Sequence, residues 1–175
     1  ASDVYKRQAR RTAQRSGWQE RLLCQQGDLR RREDLPPMGG FDLVVSNPPY
    51  FPPKARRVSP QETRSVARSE ITCTLEDVCR AAGWLLRWGG RFCVVFPTER
   101  LAELLEMARR FGLEPKRLRM VQHDAAGIPG LVLLECRRGG KPGLRAEPTL
   151  LLYGPDGRET AEHRRAYFRE EEQAL

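Results

Sequence analysis

Two hydrophobic patterns alternate along this chain. The segments 41–45 and 91–96 contain consecutive apolar residues, at positions 43–45 and 92–96, which is typical of strands buried on both faces of a sheet. Residues 74–86 and 97–110 place leucine and alanine at helical spacing instead, with residues 74–77 as a cap of the first helix. Strands that alternate with crossover helices predict an α/β sheet with right-handed connections.

The N-terminal part of the chain is mostly polar. Residues 1–8 have no apolar period and are predicted to be non-native or disordered, whereas residues 9–16 are typical of an exposed helix that Gly17 ends. The apolar run at residues 21–25 predicts a further strand. No internal repeat or second domain is indicated, so residues 9–175 are predicted to form one domain.

The C-terminal half continues the sheet. Glycines at residues 89–90 are predicted to end the first crossover helix. The strands predicted at residues 113–121 and 130–136 have a short connection without a helix, so we expect them to pair antiparallel at one edge. An apolar run at residues 150–153 precedes a turn and a charged helix from about Glu159.

A polar turn directly follows the predicted strand at residues 41–45. Its residues are Asn47, Pro48, Pro49 and Tyr50. Two prolines cannot continue a strand ladder, so the chain must leave the sheet here. Ligands of open α/β sheets bind at the carboxyl ends of the strands, which is where Asn47 is expected.

This turn can position an amino group of a flat base. The amide oxygen of Asn47 and a nearby backbone carbonyl can accept hydrogen bonds from the amine, which frees the nitrogen lone pair to attack an electrophilic methyl group. Pro48 stiffens the backbone and has no competing N–H. Tyr50 can stack on the base, a contact worth roughly 1–3 kcal/mol. Positioning then suffices for amino methylation; the structural alternative is a simple strand-ending turn.

Other residues extend this candidate site. Asp28 follows the strand predicted at residues 21–25, and with Leu29 it can contact the adenine of S-adenosylmethionine; the alternative is a cap or turn residue. The formal net charge of +8 favours a polyanionic partner such as a nucleic acid; a surplus that serves solubility, or a composition bias towards arginine, is the alternative. A basic loop after the turn is the candidate RNA contact, with a solvated loop as its alternative: Phe51, Lys54, Arg56, Arg57, Arg64 and Arg68.

Several classes of protein are excluded by the sequence. No apolar run approaches the roughly 18 residues that span a bilayer, and no signal peptide is visible, so no membrane partner and a cytoplasmic location are expected. Five cysteines without C-x-x-C spacing and only two histidines argue against a metal site. Cys93 and Cys136 are predicted to be core residues, and His123 a structural or surface residue. A monomer is favoured.

Residues 41–51 resemble the signature of bacterial tRNA(Val) adenine-N6 methyltransferases. The resemblance continues at residues 67–71, 74–77, 97–101 and 113–117. It implies a Rossmann-like class I methyltransferase fold, a mostly parallel sheet with an antiparallel edge. It also implies S-adenosylmethionine as the cofactor and the N6 amino group of an adenine in the anticodon loop of tRNA as the target.

The resemblance also assigns roles to residues. It implies that Asn47, Pro48, Pro49 and Tyr50 hold the target adenine and that Asp28 contacts the cofactor. The family begins with a strand, a Gly-rich turn and a second strand that ends in an acid, none of which is visible before Ala9. The chain is therefore expected to be an N-terminally truncated methyltransferase domain with the first strands missing. Ser69 also departs from the family, which often has His there.

Two alternative functions remain at this stage. Glutamine methyltransferases of peptide-chain release factors share Asn-Pro-Pro-Tyr, since a glutamine amide also presents a flat amino group. They usually follow it with a Glu-Pro pair and a run like Gly-Asp-Gly-Leu, where this chain has Phe51-Pro52-Pro53 and an arginine-rich loop. The second alternative is an inactive RNA-binding fragment, because half of the expected cofactor pocket is missing.

Overall fold

The computed structural model describes residues 2–48 and 73–167. The chain divides into two compact units, Ala1–Pro36 and Pro37–Leu175. Among the described residues, no helix has the length and apolar character needed to cross a membrane.

In the described residues, the first unit consists of one α-helix, an irregular segment and a short 3-10 helix at Arg32–Asp34. Helix α1 spans Ser2–Arg15, and Gly17 after it has a φ of 68°. The helix predicted at residues 9–16 is confirmed, and it begins earlier than predicted, at Ser2. The strand predicted at residues 21–25 is wrong: this segment is irregular, and Leu23 is 88% exposed. A short apolar run becomes a strand only where a neighbouring strand pairs with it, and none does so in the described part of the chain.

The second unit is built on a sheet of five strands in the described residues. These are β1 (Phe41–Ser46), β2 (Leu86–Pro97), β3 (Leu113–Gln122), β4 (Leu131–Arg138) and β5 (Arg145–Leu151). Their order across the sheet is β1-β2-β4-β3-β5. Strand β1 pairs parallel with β2 and β3 pairs parallel with β5, whereas β4 is antiparallel to both of its neighbours.

The predicted α/β class is therefore confirmed, with one correction to the sheet. Strands β3 and β4 pair antiparallel as predicted, but the antiparallel strand lies inside the sheet rather than at its edge. Strand β4 can occupy an interior position because it is apolar on both faces: Val132 and Leu134 face the core, and Leu133 lies on the opposite face. Polar β5 forms the edge instead, and it begins five residues before the predicted apolar run at 150–153.

Helices α2 (Leu75–Leu85) and α3 (Leu101–Arg110) cover one face of the sheet. Thr74 caps α2, as predicted, through a capping box: its hydroxyl accepts from the backbone N–H of Asp77 at 3.2 Å, and the Asp77 carboxylate accepts from the Thr74 backbone at 2.9 Å. A short helix, α4 (Ala161–Ala166), follows β5.

The glycine pair at residues 89–90 does not end α2, contrary to the prediction. The helix passes directly into β2 at Leu86, and both glycines lie inside that strand. Phe41 pairs with Leu86 and Leu43 with Arg91, so the intervening residues of β2 bulge out of the ladder. Gly89, with a φ of 77°, supplies the left-handed conformation that this bulge requires.

The hydrophobic core lies between the helices and this covered face. Phe92, Phe96 and Leu104 are fully buried there. The opposite face is open at β1, where Leu43 is 44% and Val45 is 69% exposed. The prediction that β1 is buried on both faces is therefore wrong for this structure, because α2 and α3 both pack on the same side.

Candidate functional site

The polar turn begins where β1 ends. Strand β1 finishes at Ser46, which pairs with Val94 in the parallel ladder to β2. Asn47 is exposed directly after it, and Pro48 is buried. The chain therefore leaves the sheet at the predicted position, with the amide side chain presented at the surface.

Asn47 lies at the end of the sheet where α/β folds usually bind their ligands. Strands β1, β2, β3 and β5 run in the same direction, so their carboxyl ends share one edge. Crevices at such an edge are the usual ligand sites of open α/β sheets. The position of Asn47 thus agrees with a binding role as well as with a turn.

A depression of about 530 Å³ adjoins this edge on the open face of the sheet. Its floor is apolar and comes from Val45, Cys93, Val95 and Leu133, among others. Burial raises the pKa of the Cys93 thiol, so this side chain stays protonated at neutral pH and acts as an apolar lining group. The depression reaches from the end of β1 across β2 and β4 to β3 and β5.

One wall of the depression is an ion-pair network that the sequence analysis did not identify. The guanidinium of Arg117 donates to Glu147 at 2.8 Å and to Glu135 at 3.4 Å, and Arg145 donates to Glu147 at 3.0 Å. These hydrogen bonds, that from Arg117 above all, lower the pKa of Glu147 to about 2. The only sequence signals were Glu135 in an apolar strand and the alternation of Arg117 with Arg119 along β3.

Asp28 lies in the first unit and is engaged by Arg30. The carboxylate of Asp28 accepts from the Arg30 side chain at 2.6 to 3.1 Å and from its backbone N–H at 3.0 Å. The side-chain hydrogen bond from Arg30 is the main cause that lowers the pKa of Asp28 to about 2. The side chain thus stabilises a turn here, which was the structural alternative for it; Leu29 beside it is 38% exposed.

The structure locates four of the predicted site residues, two in each unit. Asn47 lines the depression and Pro48 follows it in the chain, whereas Asp28 and Leu29 lie in the first unit. The remaining predicted site residues lie outside the described part of the chain: Pro49, Tyr50, Phe51, Lys54, Arg56, Arg57, Arg64 and Arg68.

The sheet and its helices have the fold of a class I methyltransferase. A solved structure of a predicted O-methyltransferase from Agrobacterium tumefaciens superposes with a TM-score of 0.70 over 92% of this chain and 71% of that protein. The sequences are only 17% identical, so this likeness concerns the fold. No protein-family model matches the chain.

Curated sequences give the more specific relation. The chain is 39% identical over 107 residues to the tRNA1(Val) (adenine(37)-N6)-methyltransferase of Dickeya chrysanthemi, which is 61% of this chain and 41% of the relative. It is 31% identical over 160 residues to the enzyme of the same name from Erwinia tasmaniensis, which is 89% of this chain and 62% of the relative. The chain is thus homologous, over most of its length, to enzymes of this name, and it spans about two to three fifths of their lengths.

Proposed function

We propose that this protein methylates the N6 amino group of an adenine in tRNA, with S-adenosylmethionine as the methyl donor. The observation that carries this proposal is Asn47-Pro48 at the carboxyl end of β1 in a class I methyltransferase sheet. The homologous enzymes are named for adenine 37 of tRNA1(Val), which makes this nucleotide the proposed target. A cytoplasmic location is part of the proposal, because the homologous enzymes are named for a tRNA substrate.

Asn47 is proposed to hold the target amine. Its side-chain oxygen accepts one N–H of the exocyclic amino group, which turns the nitrogen lone pair away from the ring and towards the methyl donor. The nitrogen–methyl bond would form as the sulfur–methyl bond of the donor breaks, and the nitrogen would then release one proton to solvent. Pro48, buried behind Asn47, fixes the backbone of the turn. Pro49 and Tyr50 remain predicted contacts to the adenine.

S-adenosylmethionine, when bound, supplies an electrophilic methyl group on a sulfonium sulfur. Asp28 is proposed to accept a hydrogen bond from the adenine of this cofactor. The chemistry of Asp28 fits the role, because a carboxyl group with a pKa of about 2 is ionised at neutral pH and is a pure acceptor. Arg30 already uses part of this acceptor capacity, so the cofactor has to share the carboxylate with Arg30 or replace it.

The test is methyl transfer from radiolabelled S-adenosylmethionine to tRNA that lacks base methylation. We expect label in tRNA1(Val), recovered as N6-methyladenosine after digestion to nucleosides. The assay is run with the 175-residue chain and with a full-length homologue as a positive control. A mixture of tRNAs without the tRNA(Val) species serves as the matched negative substrate.

Two other outcomes are informative. Label in an isolated release factor, with none in tRNA, would show a glutamine methyltransferase and overturn the proposal. The absence of transfer by this chain, combined with tight binding of tRNA, would support the alternative of an RNA-binding fragment. In the first of these outcomes the release factor carries the label, and in the second no molecule carries it, whereas the proposal expects label in tRNA.

A further inference from the structure

A cluster of aromatic rings lies at the same sheet edge as Asn47 and is not used by the proposed reaction. His123 follows β3 directly, and Tyr153 follows β5. The backbone N–H of Tyr153 donates to the carbonyl of His123 at 2.8 Å, which extends the parallel ladder beyond the two strands. The two side chains are therefore held side by side at the carboxyl edge.

The rings of His123 and Tyr153 are nearly stacked. Their centroids are 4.6 Å apart and their planes are inclined by 31°. Tyr153 also makes a T-shaped contact with His163, with ring centroids 5.9 Å apart, and His163 is buried and hydrogen-bonded through Nδ1 to the carbonyl of Leu152 at 3.2 Å. The inner part of the cluster is thus fixed by packing.

The ring of His123 lies at the outside of the cluster, where it is held in place but remains exposed. The side chain of His123 is 71% exposed, and its Nδ1 lies 3.0 Å from the carboxylate of Asp124. The other carboxylate oxygen of Asp124 accepts from the backbone N–H groups of Ala126 and Gly127, at 2.9 and 3.0 Å. The contact with Asp124 orients this ring while much of its surface stays in solvent.

A fixed and exposed flat ring backed by a second ring is suited to bind another flat aromatic group. Unpaired nucleic-acid bases stack on aromatic side chains in this way, and nearby cations contact their phosphates. Two exposed arginines are close to the cluster residues in the sequence: Arg158, in the turn that follows Tyr153, and Arg165, on α4. Three strand spacings separate the strands of Asn47 and His123, a distance of about 14 Å along the edge.

We propose that His123 and Tyr153 form a stacking site for a second, unpaired base of the RNA substrate, close to but not adjacent to the nucleotide that is methylated. This inference rests on the proposed function, since it assumes an RNA substrate. It assigns a binding role to His123, which the sequence alone indicated only as a structural or surface residue.

The test is the affinity of the 175-residue chain for a fluorescein-labelled anticodon stem-loop RNA, measured by fluorescence anisotropy at one fixed salt concentration. His123→Ala is expected to weaken binding about five-fold or more. His123→Phe keeps a flat ring and is expected to bind within about two-fold of the unmodified chain. Ile128→Ala, at an 87% exposed position of the same loop, is the matched control and should change nothing.

The contrary results are distinct. Equal affinity of the unmodified chain and His123→Ala would overturn the stacking site and leave the proposed function intact. A loss with His123→Phe as large as with His123→Ala would also overturn it, because stacking would then not be the interaction lost. Failure of the unmodified chain to bind the stem-loop would count against the proposed function and the stacking site together. Circular dichroism of each variant checks that the fold is retained.

Discussion

At the scale of single residues, Asn47 is exposed, so a substitution there is expected to affect the reaction more than the stability of the fold. The residue lies after β1 and contributes no side chain to the core. Substitutions at exposed positions usually change the free energy of unfolding by less than about 0.5 kcal/mol. A loss of activity on changing Asn47 can therefore be assigned to the reaction.

Asn47→Ala is expected to reduce methyl transfer to tRNA by about a hundred-fold or more, since the amine loses its positioned acceptor. Asn47→Asp retains an acceptor oxygen and should keep more activity than the alanine variant. Initial rates with radiolabelled cofactor measure both, with thermal unfolding as the control. Equal activity of Asn47→Ala and the unmodified protein would remove this residue from the mechanism.

Asp28 allows a second test at the same scale. Its pKa of about 2 is caused first by the side-chain hydrogen bond from Arg30, so Arg30→Ala should raise this pKa towards the ordinary value of 3.8. Carboxyl-carbon NMR over an acid titration measures the change, and Arg21→Ala is a control from the same unit. An unchanged pKa in Arg30→Ala would show that the turn itself, and not Arg30, stabilises the carboxylate.

At the scale of elements, the sequence predicts a helix or strand correctly where the signal is local, and fails where the outcome depends on pairing with distant segments. Helix α2 was predicted correctly because its cap and its apolar spacing lie within one short segment. The strand predicted at residues 21–25 and the stop predicted at residues 89–90 were wrong, since neighbouring chain segments decide whether an apolar run pairs and whether a glycine bulges. Short-range patterns do not contain that information.

In the candidate site, too, local features could be predicted and contacts between distant residues could not. Asn47 could be predicted because the strand and the turn adjoin in the sequence. The pair between Arg117 and Glu147 could not, because parallel pairing of β3 with β5 brings together residues that are 30 positions apart. The stacking of His123 and Tyr153 depends on the same pairing.

The capping box of α2 gives a prediction for an element. Thr74→Ala removes the hydroxyl that accepts from Asp77, which should lower the free energy of unfolding by about 1 kcal/mol. Thr74→Ser keeps the hydroxyl and should lie close to the unmodified chain. Urea denaturation followed by circular dichroism measures the difference. If both variants lost the same stability, the methyl group of Thr74 rather than the cap would be the cause.

At the scale of the whole molecule, the excess of positive charge determines how RNA binding responds to salt. With 31 basic and 23 acidic residues, the chain carries a formal charge of +8. Each phosphate that a protein neutralises on a single strand contributes a slope of about −0.7 to the plot of log affinity against log salt. Phosphate contacts therefore make binding weaker as salt increases.

We expect the affinity for the anticodon stem-loop to fall steadily as the salt concentration is raised. A peptide nucleic acid of the same sequence has no phosphates, so any binding of it should depend little on salt. Titrations at several salt concentrations give both slopes. A flat slope for the RNA would mean that the net charge has no part in binding, and that the excess of arginine reflects composition alone.

The position of β4 has a consequence for the order in which the molecule can be assembled on the ribosome. Synthesis produces β2 and β3 first, yet β4 lies between them in the sheet. Until residues 131–138 emerge, β2 has one edge without its final partner and β3 has two, because its other neighbour, β5, is synthesised later still. Such edges can pair with other chains. The nascent protein therefore passes through a period in which these strand edges are open to aggregation, and that period ends only when both β4 and β5 have been synthesised.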